Sequence, residues 1–225
     1  MSRALAAAGW RVEAPLGRGE VVGDAAAGVD LLVIATPDAV VAEVAAAVEP
    51  VAGTVVAHMA GSLGLDVLGS HLRRASIHPL VALPNPKLGA ERLRGGWFAL
   101  AGDALVRTAV DDLGGQWFTV TDEDRAAYHA AACIASNHLV ALLGQAERVG
   151  ATAGVPREAF VELVRATVEN VATLGPAAAL TGPAARGDSE TLERHRAAID
   201  PSEVVAYDAM VDLARRLVAE RVEAR

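Results

Sequence analysis

The stretch Asp30–Asp38, DLLVIATPD, decides how this chain reads. A short apolar run rich in branched side chains ends in Thr36-Pro37-Asp38, the pattern of a buried parallel strand whose carboxyl end carries a ligand-facing turn. In open parallel sheets, ligands bind outside the carboxyl ends of the strands. Working outward towards the amino terminus, SRALAAAGW reads as the helix that follows a phosphate-binding turn. The turn itself, a G-x-G-x-x-G loop with its strand, is not in front of that helix. About 10 to 15 residues would supply it, so the unit is expected to be truncated at its amino terminus.

Towards the carboxyl terminus, β-rich runs alternate with helical patterns: VEA after Gly9, LLVIA at 31–35, TVVAH at 54–58, ASIH at 75–78, WFALAG at 97–102 and QWFTV at 116–120. That rhythm predicts a twisted, mostly parallel sheet with crossover helices over Asp38–Val48, capped by Asp38, and Ala104–Leu113. From Thr121 the strand signal stops. A helix opening in TDED runs apolar on nearly every face and is expected to be enclosed. Pro156 starts another, with a stripe of Phe160, Leu163, Val164, Val168 and Val171. Further helices are predicted around Ser189–Ile199 and Pro201–Glu220. The expected fold class is α/β: an N-terminally truncated Rossmann-like parallel sheet in residues 1–120, followed by an all-α domain in residues 121–225.

Composition narrows the partners. Hydrophobic residues make up 52% of the 225 residues, and mean hydropathy is +0.31, which favours a packed globule. A net charge of -8 with 4% aromatics offers neither the cationic surface nor the stacking platform of a nucleic-acid binder. Cys133 alone forms no internal disulfide and suits a reducing compartment, so a cytoplasmic setting is expected. No apolar run reaches the ~20 residues of a membrane span, and no membrane partner is expected. The scattered histidines lack metal-ligand spacing, and no G-x-S-x-G elbow is present, so no metal centre or serine nucleophile is read.

On the long apolar helix, a helical step places His129, Cys133, Ser136 and Val140 on one arc with Asn137 at its edge, while His138 lies opposite. Polar groups on such a helix are either satisfied locally or turned towards a cleft.

In order, DLLVIATPD, TVVAHMAGSLG, SIHPL, YHAAACIASNHLVALL and LGPAAALTGPAARGD resemble the bacterial Rossmann-like proteins with a DUF2520 helical domain. These belong to the broad superfamily of 6-phosphogluconate dehydrogenase-like enzymes. The resemblance covers essentially the whole chain. It implies NADP or NAD as cofactor, with Thr36, Pro37 and Asp38 beside the ribose and nicotinamide, and His58 and Gly61 in a neighbouring turn. Arg18 is the candidate for a 2′-phosphate contact. Ser62 and His78 are expected at the substrate; the proline after His78 holds it extended and stiffens its turn. Asn137 matches an amide position near substrate in many superfamily members. Cys133 stands where β-hydroxyacid dehydrogenases carry a lysine, so lysine catalysis is not expected. His129 becomes the proposed proton donor, with Asn137 and Ser136 completing the catalytic set. In LTGPAARGD, Thr181 and Arg186 are expected to hold a substrate carboxylate. A homodimer is implied.

Two functions follow. One is NAD(P)-dependent reduction of a small carbonyl compound, with a 2-oxo acid such as ketopantoate as the leading substrate. The other is a non-catalytic dimeric scaffold or ligand sensor that has lost dinucleotide binding.

Overall fold

A computed structural model describes residues 1–82 and 86–223. It divides into two compact units, Met1–Asn137 and His138–Arg225, so the first part of the long apolar helix belongs with the sheet.

In the first unit, β1 (Leu31–Ile34), β2 (Val55–His58), β3 (Arg73–Pro79), β4 (Trp97–Gly102) and β5 (Gln116–Thr119) form one sheet in the order of the chain. β1, β2 and β3 pair in parallel, β3 and β4 antiparallel, and β4 and β5 in parallel. The helices are α1 (Ser2–Ala7), α2 (Val41–Ala47), α3 (Pro86–Leu93), α4 (Leu105–Asp112) and α5 (Arg125–Cys133).

Strand alternation sorts the side chains. Val55, Ala57, Ala75, Ile77, Phe98 and Leu100 face one way and pack with Leu5, Leu93, Val106 and Val110. Val56 faces the other way, with Ile34, Val41, Ala45 and Leu68. The same alternation puts His58, Ser76 and His78 on the Val56 face, since His58 pairs with Ser76 across the strands. Fully burying a side chain such as Ile77 or Phe98 contributes about 1.5–3 kcal/mol.

Three sequence expectations change. VEA at 12–14 forms no strand; it stays exposed, and the run breaks at Pro15, which cannot donate to a ladder. DLLVIATPD does form a parallel strand, but it is the edge of the described sheet. Leu31, Leu32 and Val33 are therefore only half-buried. Asp38 does not cap its helix: it lies in a 3-10 turn, Asp38–Val40, ahead of α2, and its carboxylate is held elsewhere.

The second unit is helical: α6 (Leu139–Ala151), α7 (Arg157–Leu174), α8 (Pro176–Ala179), α9 (Pro183–Arg186), α10 (Ser189–Ala198) and α11 (Pro201–Glu223). Arg148 is paired with Glu203, Gln145 donates to the Glu203 carbonyl at 3.0 Å, and Arg196 is paired with Asp208 at 2.6 Å. Its apolar side chains are poorly covered. Among its described residues only Gly150, Leu192 and Val211 are buried, and Leu163, Val168 and Val171 of the predicted stripe are exposed.

The helix expected to be enclosed is likewise open along most of its length. By length and composition Arg125–Ala151 could cross a membrane, with a mean hydropathy of 1.3, so the expectation that no run is apolar enough is corrected to that extent.

Candidate active site

The residues that carry chemistry gather where β1, β2 and β3 end. After β1, Thr36 leaves its Oγ1 buried with no hydrogen-bond partner. Pro37 and Asp38 are exposed in the turn that follows. The Ser62 hydroxyl, in the loop after β2, donates to Asp38 Oδ2 at 2.9 Å and ties the two turns together.

His58 is fully buried, so it offers no surface to a cofactor, contrary to the role expected for it. It joins the Gly64 carbonyl at 3.1 Å through Nε2 and steadies the loop that carries Gly61 and Ser62. Burial, followed by the charge of Arg125, pushes its pKa below the usual imidazole range.

Gly61 is the close-approach point. A Cβ there would lie 2.7 Å from His129 Cδ2 and 2.8 Å from Cε1 and Nε2 of His78. Only glycine lets the loop pass so near both rings.

His78 leaves β3 with its Nδ1 2.6 Å from the Tyr128 hydroxyl, in a hydrogen bond. The two rings meet edge to face at 5.6 Å, and Phe118 packs on the Tyr128 ring at 5.7 Å. His129, on the next position of α5, lies edge-on to His78 at 6.1 Å. Burial first, then the neighbouring His129 and Arg125, lowers the His78 pKa to about 4. Burial raises Tyr128 to about 12, although Arg125 pulls against it. At neutral pH both partners are uncharged.

Beneath the pair lies Arg125, only 1% exposed. Its Nε reaches Asp122 Oδ1 at 3.3 Å, and neither Nη1 nor Nη2 has a partner. Asp122 in turn accepts from the Leu65 amide at 3.1 Å, so α5 is pinned to the Gly61 loop.

α5 gives way to a π-helical turn, Ile134–His138, which carries Ser136 and Asn137. Such turns are uncommon and recur at functional sites. Together with His78, Phe118, Tyr128, His129 and Cys133, these residues line a cavity of about 510 Å³, whose remaining wall includes Pro79, Leu80 and Val81. That volume falls within the range of small-molecule sites.

The structure thus brings Ser62 to Asp38, Gly61 to His78 and His129, and Ser136 and Asn137 to the cavity. Arg18 stands exposed in the irregular segment before β1 and shares no described hydrogen bond or ion pair with the cluster. Thr181 and Arg186 lie in the second unit, where Gly182 opens α9 with a φ of 89° and Arg186 ends it exposed. Tyr128 and Arg125 were missed. Their helical offset from His129 was the available signal, since all three share one face of α5.

Residues 100–214, just over half of the chain, match the family described as Domain of unknown function (DUF2520). The chain belongs to the DUF2520 family. No curated protein matches this DUF2520 chain. Among solved structures, protein TM1727 from Thermotoga maritima is similar at 28% identity and a TM-score of 0.70, covering 86% of this chain and 79% of that one. A reductive aminase from Aspergillus terreus, in complex with NADPH4, cyclohexanone and allyl amine, is similar at 19% identity and a TM-score of 0.62, covering 87% and 77%. The 1-pyrroline-5-carboxylate reductase of Streptococcus pyogenes follows at 21% identity and 0.56, covering 86% and 79%. The DUF2520 chain has a Rossmann-like α/β fold followed by a helical region.

Proposed function

We propose that the chain is an NADPH-dependent reductase of a small carbonyl compound. The observation that carries this reading is the cavity at the strand ends. There, a hydrogen-bonded and uncharged Tyr128–His78 pair faces the same space as His129, Ser136 and Asn137. Support comes from solved structures of the same fold, a reductive aminase in complex with NADPH4 and a 1-pyrroline-5-carboxylate reductase.

The residues present fit the nicotinamide side of a dinucleotide. The orphaned Thr36 Oγ1 offers a polar contact, and the Thr36–Asp38 and Ser62 turns would hold the group. When bound, the reduced cofactor supplies a hydride. The chain itself would orient the carbonyl oxygen with Asn137 and Ser136, and deliver a proton from the histidine and tyrosine wall, where His129 is the residue expected from sequence. In the finer form of this reading the substrate is a 2-oxo acid such as ketopantoate.

The chain is further proposed to act as a homodimer. The second unit buries too little of its own apolar surface, and both ends of Arg125–Ala151 are tied to protein polar groups. Tyr128 is bonded to His78, Gln145 to Glu203, and Glu147 is paired with Arg157 at 2.9 Å. Crossing a bilayer would strip those bonds at several kcal/mol per unsatisfied group, so a second copy is the better cover. A cytoplasmic setting, which keeps Cys133 reduced, accords with this reading.

Following NADPH oxidation at the nicotinamide absorption band with ketopantoate and pyruvate tests it. Turnover with either acid, faster with NADPH than NADH, is expected. No oxidation would leave the scaffold reading in its place.

A further inference from the structure

We propose that the Tyr128 hydroxyl is the proton donor of this cavity and that His78 is the residue that positions it. The inference rests on the reductase reading and assigns a step within it.

Reducing a carbonyl leaves negative charge on its oxygen, so a donor must stand in the cavity wall. The lining offers His78, Tyr128, His129 and Cys133. Cys133 sits next to the π-turn with no cation described beside it. His78 Nδ1 is already committed to Tyr128 at 2.6 Å, and its ring is neutral at ordinary pH. No described hydrogen bond fixes the His129 ring, and the atom it turns to Gly61 is the carbon Cδ2. Tyr128 alone is held on two sides, by His78 at 5.6 Å and Phe118 at 5.7 Å between ring centres, with its hydroxyl anchored. Geometry of that kind is the first requirement of a general acid.

With its proton on Nδ1, His78 donates to the phenol oxygen and leaves the phenolic hydrogen free for the substrate. As the hydride forms the new C–H bond, the carbonyl π pair moves to oxygen, which takes the proton from Tyr128 Oη. An alkoxide is a stronger base than a phenolate, so the transfer runs downhill even from a raised tyrosine. The tyrosinate then regains its proton from solvent, and His78 keeps its Nδ1 proton throughout. The sum is carbonyl, NADPH and one proton to alcohol and NADP⁺. The charged and titratable groups acting on the pair are Arg125 and His129 from α5, His58 from β2 and Asp38 from the turn after β1.

The test uses the full chain. In 15N-histidine spectra at about pH 7, the six imidazoles are resolved and His78 is assigned by His78→Asn. Its Nδ1 is expected to carry the proton of a neutral ring, and Tyr128→Phe is expected to shift that signal. In parallel, NADPH oxidation with ketopantoate is expected to lose about 100-fold or more in kcat in Tyr128→Phe, with the KM for NADPH little changed. His78→Phe should fall similarly, and His78→Asn, which keeps a nitrogen at the Nδ1 place, should recover most of the rate. A Tyr128→Phe protein that keeps more than about a tenth of kcat overturns the proposal, as does a larger loss in His129→Gln. A His78 signal unmoved by Tyr128→Phe does the same. If the unaltered protein oxidises no NADPH, the reductase reading and the donor role fall together, and the spectra still judge the pairing.

Discussion

The sheet unit and the helical unit bury their apolar residues differently. The first sandwiches β2 and β3 between two clusters, with Val55, Val56, Ala57, Ala75 and Ile77 all at 0% exposure. The second carries comparable apolar content on α6, α7 and α11, yet leaves Val140 69%, Leu163 64% and Val205 80% exposed. One region is finished within its own chain; the other presents its hydrophobic faces outward. That exposed apolar surface is what the proposed second copy would cover.

The contrast can be broken most sharply at the exposed faces. Leu163→Asp places a charge where a second copy would pack and is expected to weaken dimerisation by about 100-fold or more in sedimentation equilibrium. A chain that is monomeric before the substitution would remove the homodimer reading altogether. Next in size is a matched pair of truncations. Ile77→Ala should cost about 2–5 kcal/mol in denaturant unfolding, because it leaves a cavity in a closed core. Leu163→Ala should cost under about 0.5 kcal/mol if its surface is free, and more, in a concentration-dependent way, if a copy covers it.

A smaller effect is expected with pH. The folded pKa of His78 is depressed to about 4 from 6.5, so between those values the unfolded chain binds more protons than the folded one. The stability from this group is present above 6.5 and is lost as pH falls towards about 4, with His58 shifted in the same direction. Melting temperature should therefore fall across that window, and His78→Asn should flatten the fall. Smallest is Arg125→Met. The guanidinium is buried with a single 3.3 Å ion pair, so an apolar side chain of similar length should change stability by less than about 1 kcal/mol, or raise it. His78 should then titrate closer to the ordinary imidazole range, which NMR would show.

Much of this was legible in the chain. DLLVIATPD and TVVAH read correctly as parallel strands because branched apolar runs with polar ends have few other stable uses, and β2–β3 alternation then places His58 and His78 on one face. The Gly61 loop was expected from the resemblance, whereas Ser136 and Asn137 were placed near one arc by the helical step. Burial did not follow, because an apolar pattern tells that a surface seeks cover but not which chain supplies it. α5 and α6 therefore read as enclosed and stand open, and the stripe on α7 is exposed as well. Tyr128 escaped notice because its role arises from a hydrogen bond to a residue on another element, and Arg125 because its offset from His129 does not by itself tell that the guanidinium is buried. The π-turn at Ile134–His138 was equally invisible to a uniform helical step, although Ser136 and Asn137 reach the cavity through it.

The central claim is that the strand-end cavity serves a reduced nicotinamide dinucleotide. Titrating NADPH into the chain in a calorimeter tests it most directly. Saturable binding at a single site per chain is expected, weakened by Gly61→Leu, whose Cβ would collide with the His78 and His129 rings and displace them from the cavity wall. Absence of saturable heat, with the protein folded, would contradict it.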